Sequence, residues 1–324
     1  MKLLVTGGAG YIGSVVAQQL LDAGHEVSVL DDLSRGHAGA IPAGADHIDV
    51  GLLDEPRVHE ALGGGFAGVL HFAALALVAE SEAHPERYWR NNVLGTLNLI
   101  DAMRAHRIQR LVFSSTCATY GEPETVPMRE DEPTNPVNAY GDSKLAVDRM
   151  LATECRANGL GATSLRYFNV AGARGDQGEH HEPETHLIPL ILEAAAGRRP
   201  YISVYGTDYP TRDGTAVRDY IHVEDLGAAH LLALDAIQPG EHRIYNLGTG
   251  TGYTVKEVVD AARRVTGREI VAHEEPRRPG DPPQLVAAAE RARDELGWVP
   301  KHGLDTMIAD AWAWHQAHPD GYVE

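Results

Sequence analysis

Two residues with complementary acid–base chemistry stand four positions apart in the segment NAYGDSK. Tyr140 and Lys144 belong to a helical pattern over 139–158, so their side chains lie on one face of that helix. A lysine ammonium beside a phenol stabilises the phenolate and lowers the phenol pKa, which makes the tyrosine a base near neutral pH. This pair predicts proton transfer at a substrate oxygen.

A cluster of hydroxyls follows a buried-looking strand in the segment RLVFSST. Ser114, Ser115 and Thr116 end the apolar run. Thr116 is the candidate for contacting the substrate oxygen and helping to carry its proton, while the two serines are candidates for backbone and cofactor contacts. Hydroxyls at a strand end also satisfy free backbone groups, so both roles stay open.

The segment VTGGAGYIG predicts a dinucleotide-binding loop. Gly7, Gly10 and Gly13 lie between a strand and a helix, where glycines permit a tight turn, close approach of phosphates and close helix packing. Free N–H groups at the helix start then meet the pyrophosphate. Asp31 ends the next strand and can accept hydrogen bonds from the adenosine ribose. Together with Asp32 it would repel a 2′-phosphate, which favours NAD over NADP.

The elements that must position these residues alternate between strand and helix. Predicted strands are Lys2–Thr6, Glu26–Asp31, Asp46–Val50, Gly68–Phe72, Arg110–Ser115 and Gly161–Tyr167. Predicted helices between them are Gly13–Ala23, Arg87–His106 and Ala139–Asn158. This alternation predicts an α/β fold with a doubly wound parallel sheet (Rossmann) and ligands at the carboxyl ends of the strands. Asp49 and Val50 are candidates for the adenine edge, although an aspartate there is equally often a helix cap.

After about Phe168 the chain is richer in loops. Its helical patterns are Glu184–Gly197, Val223–Ile237, Val255–Thr266 and Leu304–His315. We expect an NAD-binding domain over 1–168, joined by part of 215–250, and a smaller mixed α/β substrate domain over 169–324.

Composition disfavours several classes of protein. The chain of 324 residues is 43% hydrophobic and 23% charged, as globular proteins are, and its apolar runs are too short to cross a bilayer. The net charge of −18 disfavours nucleic acid and anionic membranes as partners, so an anionic ligand needs arginines close to its site. Cys117 and Cys155 form no disulfide framework, which favours a reducing cytoplasm.

Longer motifs then occur in one order along the whole chain. They are TGGAGYIG, HFAA (71–74), NN (91–92), FSST (113–116), YGDSK (140–144), RYFNVAGA (166–173), VRDYIHVEDL (217–226), YNLGTG (245–250) and RRPGD (277–281). Together these motifs resemble the extended short-chain dehydrogenase/reductases, and within them the nucleotide-sugar 4-epimerases. The glycine loop and the Tyr-x-x-x-Lys pair define only the superfamily, whereas the motifs after residue 165 are more specific.

The resemblance implies reversible epimerisation of UDP-glucose and UDP-galactose at C4, through a 4-keto intermediate and with tightly bound NAD. Tyr140 would be the acid/base, Lys144 would hold the nicotinamide ribose and Thr116 would assist proton transfer. The implied NAD contacts are Tyr11, Ile12, Asp31, Asp32, Asp49, Val50, Phe72, Ala73, Asn92 and Phe168. The implied UDP contacts are Asn169, Arg218, Arg278 and Asp281, with Leu187, Ser203 and Tyr205 near the uridine. A homodimer through helices 87–106 and 139–158 is implied as well.

Three departures and motifs qualify this interpretation. Ala76 stands where relatives often carry lysine or a hydroxyl residue near the cofactor phosphates. Leu285 stands where the family varies the size of the sugar pocket, so we hypothesise that N-acetylated sugars also fit. The segment EHHEPETH, 179–186, invites a metal site, but two of its histidines are adjacent and Pro183 interrupts a helical ligand face. We therefore expect a loop of the substrate domain and no metal.

Other functions remain open at this point. The same scaffold carries 4-epimerases of pentose or uronic acid nucleotides, and nucleotide-sugar decarboxylases or dehydratases. Dehydration is disfavoured, because no carboxylate follows Thr116 until Glu122. A non-catalytic NAD-binding sensor is disfavoured because such a protein is expected to have lost Tyr140 or Lys144.

Overall fold

The fourteen strands named here come from the computed structural model, which describes residues 1–278 and 280–322. They are β1 (Lys2–Thr6), β2 (Glu26–Leu30), β3 (Asp46–Ile48), β4 (Gly68–His71), β5 (Arg110–Thr116), β6 (Gly161–Tyr167), β7 (Asn169–Ala171), β8 (Ile202–Tyr205), β9 (Val217–Arg218), β10 (Tyr220–His222), β11 (His242–Leu247), β12 (Tyr253–Thr254), β13 (Ala272–Glu275) and β14 (Gln284–Leu285).

The helices mostly cover the faces of the sheets. They are α1 (Tyr11–Asp22), α2 (Glu55–Leu62), α3 (Val78–Ala83), α4 (Pro85–Tyr88), α5 (Gly95–Ala105), α6 (Ala139–Asn158), α7 (Leu187–Ala195), α8 (Val223–Ala236), α9 (Val255–Thr266), α10 (Glu290–Leu296) and α11 (Leu304–Ala317). A π-helical segment, Trp89–Leu94, joins α4 to α5. In the described part of the chain, no helix has the length and apolar character that a membrane crossing requires.

A seven-stranded parallel sheet in the order β11-β6-β5-β4-β1-β2-β3 forms the centre of the first domain. The strand order reverses beside β1, because the chain runs outward from β1 to β3 and then returns to place β4 on its other side. One face packs against α1 and α8, and the other packs against α2, α5 and α6. The predicted doubly wound α/β fold is confirmed.

The C-terminal part is smaller and is built from short pieces. Its sheets are β7 with β10, β8 with β13, and β12-β9-β14. A separate apolar core joins α7, α9 and α11 to strand β8. Strand β11 returns from this half of the chain to pair with β6.

Two predicted helices differ from the observed ones. The predicted helix 87–106 is interrupted by the π-helical segment, where the Thr96 hydroxyl donates to the Asn92 carbonyl oxygen at 2.5 Å. The predicted helix 184–197 begins only at Leu187, because the Glu184 carboxylate accepts the backbone N–H groups of Thr185 and His186. That carboxylate satisfies these groups without a helical turn.

Candidate active site

The predicted acid–base pair lies on the first turns of α6. Asn138 caps this helix, since its side-chain oxygen accepts the N–H of Gly141 at 2.8 Å. Tyr140 and Lys144 then follow on one face and line the same cavity as Thr116, the last residue of β5. Lys144 is 3% exposed, and its ammonium donates to the Ser114 carbonyl oxygen at 2.8 Å. The chain therefore brings all three predicted catalytic residues to one place.

Burial dominates the protonation of this pair. It raises the pKa of Tyr140 well above its ordinary value, and the Thr116 hydroxyl opposes that rise. Burial likewise lowers the pKa of Lys144 to about 7, against the attraction of Asp148. The sequence predicted that Lys144 would lower the phenol pKa, but here desolvation is the stronger influence on both groups.

The two serines of β5 divide their work. The Ser115 hydroxyl turns to the buried side of the sheet and donates to Asp148 at 3.3 Å. Ser114 lines the cavity and bonds its hydroxyl to that of Tyr167. Tyr167 was not predicted as a site residue, although it ends β6 directly opposite Thr116 in the neighbouring strand. Alignment of the carboxyl ends of the two predicted strands, 110–115 and 161–167, would have placed Tyr167 beside the hydroxyl cluster.

The predicted nucleotide loop borders a cavity of about 430 Å³ at the carboxyl ends of β1 and β2. Gly7 has φ 72°, and a Cβ there would lie 2.4 Å from the Ala73 nitrogen. A Cβ on Gly13 would lie 2.2 Å from the Gly7 carbonyl oxygen, so α1 packs directly on the loop. Only glycine fits at these two positions, which keeps the loop flat against the start of the helix.

Asp31 lines the cavity beside the glycine loop. Its carboxylate accepts the N–H of Ala9 at 3.0 Å and that of Leu33 at 2.9 Å. A carboxylate offers about four lone-pair positions, so it retains capacity for two ribose hydroxyls. The nearby Arg35 guanidinium pairs with Glu80 at 3.0 Å. With its charge matched there, Arg35 does not offset the repulsion of a 2′-phosphate, and the donor set fits NAD.

A second cavity, of about 580 Å³, continues from the glycine loop past Tyr140 into the C-terminal part. Its far wall carries Arg218, which is 14% exposed and forms an ion pair with Asp281. The Arg278 guanidinium lies 3.9 Å from the centre of the Tyr205 ring. The cavity thus joins the acid–base pair to a cationic and aromatic end.

Most predicted ligand contacts line one of these two cavities. They are Gly7, Gly10, Tyr11, Ile12, Gly13, Asp31, Asp32, Val50, Phe72, Ala73, Ser114, Thr116, Tyr140, Lys144, Phe168, Asn169, Leu187, Ser203, Tyr205, Arg218, Arg278 and Asp281. Ala76 lines both cavities, and neither its methyl group nor its place in the wall supplies a charged phosphate contact.

Three residues that the sequence singled out line neither cavity. Asp49 is exposed, and its carbonyl oxygen accepts a hydrogen bond from Arg57. Asn92 is 2% exposed and bonds both backbone groups of Leu75, at 2.8 and 3.0 Å, so its place is behind a cavity-lining loop. Leu285 packs against the cluster of Tyr120 and Phe168.

The loop 179–186 forms part of both cavity walls and was not predicted to do so. It gathers Glu179, His181, Glu184 and His186, whose nearest nitrogen and oxygen atoms lie within 4.8 Å of one another. Burial lowers the pKa of each histidine, but the two carboxylates outweigh it and raise the pKa of His181 to about 9 and of His186 to about 10. Arg199 also lines the second cavity and was not predicted as a site residue, although the acidic net charge predicted arginines close to an anionic ligand.

Similarity to known proteins agrees with this geometry. Residues 3–248 match the NAD dependent epimerase/dehydratase family. The UDP-glucose 4-epimerase of Corynebacterium glutamicum is 56% identical over 99% of this chain and 97% of its own length.

Two solved structures extend this similarity to the fold. The UDP-glucose 4-epimerase of Brucella ovis, in complex with NAD, aligns with TM-score 0.93 and 46% identity over 96% of this chain and 97% of that one. The Bifidobacterium longum enzyme, in complex with NAD+ and UDP, aligns with TM-score 0.93 and 35% identity over 99% of this chain and 100% of that one. The chain therefore belongs to the NAD-dependent epimerase/dehydratase family.

Proposed function

We propose that this protein interconverts UDP-glucose and UDP-galactose by epimerisation at C4, with tightly bound NAD. The observation that carries the proposal is one continuous cleft, which joins the glycine loop, the acid–base pair of Tyr140 and Lys144, and the cationic end at Arg218. A relative that is 56% identical over nearly the full length of both chains is a UDP-glucose 4-epimerase. No external redox partner is needed, because the hydride taken from C4 returns to it.

Tyr140 is the residue that moves the proton. Its phenolate takes the proton of the sugar 4-hydroxyl and becomes a phenol, which returns a proton after the sugar has turned, while Thr116 holds the same oxygen. NAD, when bound at the glycine loop, would supply the hydride acceptor and a positive charge. Burial alone disfavours phenolate at Tyr140, and a positive charge would favour it.

Lys144 holds the nicotinamide ribose in this proposal. Its pKa of about 7 leaves a substantial protonated fraction at neutral pH, and the ammonium already has one acceptor in the Ser114 carbonyl oxygen. A ribose hydroxyl would be a second acceptor. Lys144 therefore positions the cofactor and contributes positive charge near the phenol.

The diphosphate and uridine ends of the substrate bind to the C-terminal part. Arg218 and Arg278 supply the local positive charge that a dianionic ligand requires in a protein of net charge −18. Asn169 and Asp281 lie at the same end of the cleft, and Leu187, Ser203 and Tyr205 line the wall assigned to the uridine. Binding energy remote from C4 leaves the 4-keto sugar loose enough to turn.

A homodimer is the assembly we propose. Apolar side chains remain exposed on the helical stretch 87–106, where Trp89, Leu94 and Leu97 are 45%, 43% and 39% exposed. All three lie within residues 89–97, and exposed apolar side chains close together in the chain are expected of a face that a second subunit covers.

Both cysteines carry free thiols, which agrees with a cytoplasmic, reducing location.

N-acetylated UDP-hexoses are a finer part of the substrate range. Leu285 pairs with Arg218 across neighbouring strands and packs against the cluster that contains Phe168, a residue of the substrate cavity wall. A tyrosine at this position would place a larger side chain beside that wall. Turnover of UDP-N-acetylgalactosamine by the native chain, and its loss in Leu285→Tyr with UDP-galactose turnover retained, is the expected pattern.

The decisive experiment for the main function is a coupled assay on the purified protein. UDP-galactose is added without NAD, and UDP-glucose is measured as it appears. We expect turnover from the NAD that the protein carries, and none of the 4-keto-6-deoxy product of a dehydratase. UDP-xylose and UDP-glucuronate serve as rival substrates, and turnover confined to either of them would replace the proposed hexose specificity.

A further inference from the structure

One loop forms the wall between the cofactor cavity and the substrate cavity. His181 and His186 line both cavities, and Glu179 lines the substrate side. The loop is not helical, so the proline that would break a helical ligand face does not separate these side chains. The adjacent His180 turns away, and its Nδ1 lies 3.2 Å from Nε2 of His37.

The donor atoms of this loop have the spacing of a metal site. Nδ1 of His186 lies 2.9 Å from Glu179 Oε1 and 3.2 Å from Glu184 Oε1. Nδ1 of His181 lies 3.5 Å from Glu179 Oε1 and 3.5 Å from Glu184 Oε2. Ligands of a tetrahedral zinc ion, at bonds of about 2.0–2.2 Å, stand about 3.3–3.5 Å apart. Both imidazoles turn the same type of nitrogen toward the same two carboxylates.

The two carboxylates of the group favour positive charge between them. The Glu179 and Glu184 side chains are only 7% and 9% exposed, and a buried carboxylate needs a partner charge. Two imidazolium ions or one divalent cation with neutral imidazoles would each balance them. Charge-assisted hydrogen bonds measure about 2.7–2.9 Å. Of the four contacts, the one between His186 and Glu179 has that length, and the other three are longer. His181 Nδ1 is enclosed, yet it makes no hydrogen bond to any described residue.

We propose that Glu179, His181, Glu184 and His186 bind one divalent transition-metal ion of the zinc class. The unbonded nitrogen of His181 and the convergence of all four donor atoms within 4.8 Å favour a shared cation over two separate ion pairs. Imidazole and carboxylate are ligands that suit zinc. The ion holds the loop in place as the common wall of the two cavities. This role is independent of which sugar nucleotide the cleft turns over.

Cobalt is the probe that reports both binding and geometry. The NAD-containing protein, freed of any purification tag and treated with a chelator, is titrated with Co²⁺ while its visible absorption is recorded. We expect one equivalent to bind with the intense bands of tetrahedral cobalt, and one equivalent of Zn²⁺ to abolish them by displacement. A spectrum that stays that of hydrated, octahedral cobalt at saturating metal overturns the proposal.

Matched variants assign the ligands. Glu184→Gln keeps an oxygen that can accept the N–H groups of Thr185 and His186, so the loop retains those bonds. We expect this variant and His181→Gln to bind Co²⁺ at least about 100-fold more weakly, because loss even of outer-shell partners costs about 10- to 100-fold. His180→Gln changes the neighbouring histidine and is expected to bind Co²⁺ as the native chain does.

NAD content and far-ultraviolet circular dichroism are measured on every variant. If Glu184→Gln and His181→Gln had native NAD content, native circular dichroism and unaltered affinity for Co²⁺, the proposed ligand set would be wrong. If His181→Gln does not retain its fold, Glu184→Gln alone decides the outcome.

Discussion

The two ends of the substrate cleft are built in different ways. The catalytic edge, defined here as Thr116, Tyr140 and Lys144, lies on a seven-residue strand and a twenty-residue helix. The diphosphate side, defined as Arg218, Arg278 and Asp281, lies on a two-residue strand and a connecting loop. Acid–base groups need fixed geometry on rigid elements, whereas charged recognition tolerates loops that can adapt. Changes at the first end should therefore reduce the rate, and changes at the second should reduce affinity.

Tyr140→Phe is the largest test of this contrast. Removal of the phenol oxygen removes the proton acceptor, so kcat should fall about 10³-fold, within the range typical of general acid–base groups. KM for UDP-galactose should change little, because the phenol acts at the reacting carbon of the sugar and does not bind the diphosphate. Steady-state kinetics on the NAD-containing variant measure both constants.

Tyr245→Phe is the matched control for that change. It removes another buried phenol oxygen, which bonds Glu295 at 2.9 Å and lies outside both cavity walls. Activity there should remain near native. If kcat fell equally in the two variants, the loss would reflect damage to the fold, and Tyr140 would have no role in the chemistry.

A buried ion pair beside β5 tests whether the catalytic edge depends on its buried charges for stability. Asp148 and Arg166 are each 3% exposed and pair at 2.8 Å, and Asp148 also accepts the Ser115 hydroxyl. Asp148→Asn leaves a buried guanidinium without its counter-charge, so it should lower the free energy of unfolding by about 3–5 kcal/mol. Urea unfolding of the NAD-containing protein measures the change.

Asp305→Asn supplies the comparison on the other domain. It breaks the ion pair of Asp305 with Arg264, whose side chains are 59% and 61% exposed, so solvent already screens the interaction and unfolding should hardly change. If both substitutions lowered stability equally, the catalytic edge would have no special dependence on its buried charges.

The same difference explains what could be predicted from sequence. Long elements carry a period, so β5, β6 and α6 were predicted with ends within one residue of the observed ones. Strands of two residues such as β9, β12 and β14 carry none, because alternation needs at least four residues. Their pairing depends on contacts between distant segments, as when Leu285 pairs with Arg218.

Individual site residues follow this rule. Tyr140 and Lys144 were assigned from a helical spacing, and the structure brings them together with Thr116. The segment 179–186 was recognised as rich in histidine and glutamate, but its spacing did not predict how they gather. These side chains meet through bends in the chain and a carboxylate that caps two backbone N–H groups. Asn92 was predicted as an NAD contact, but its amide is directed to the Leu75 backbone behind a cavity-lining loop.

Arg218→Ala tests the diphosphate side and should have the smallest effect of the three. The loss of a charged hydrogen-bond donor costs about 1.5–3 kcal/mol, which corresponds to roughly a 10- to 100-fold increase in KM for UDP-galactose. The variant also leaves Asp281 without its ion-pair partner, which adds repulsion toward the diphosphate. Because neither group touches the reacting carbon, kcat should fall much less than KM rises.

Two further variants separate position from charge at this end of the cleft. Arg212→Ala removes an exposed arginine that pairs with Glu257 outside the cavity walls, so KM should stay native although the net charge changes equally. Arg218→Lys keeps the charge without the two-pronged donor geometry and should recover only part of the affinity. If Arg218→Ala had a native KM, or lost only kcat, this arginine would belong functionally to the catalytic edge. That outcome would contradict the division of the cleft into one end that sets the rate and one that sets the affinity.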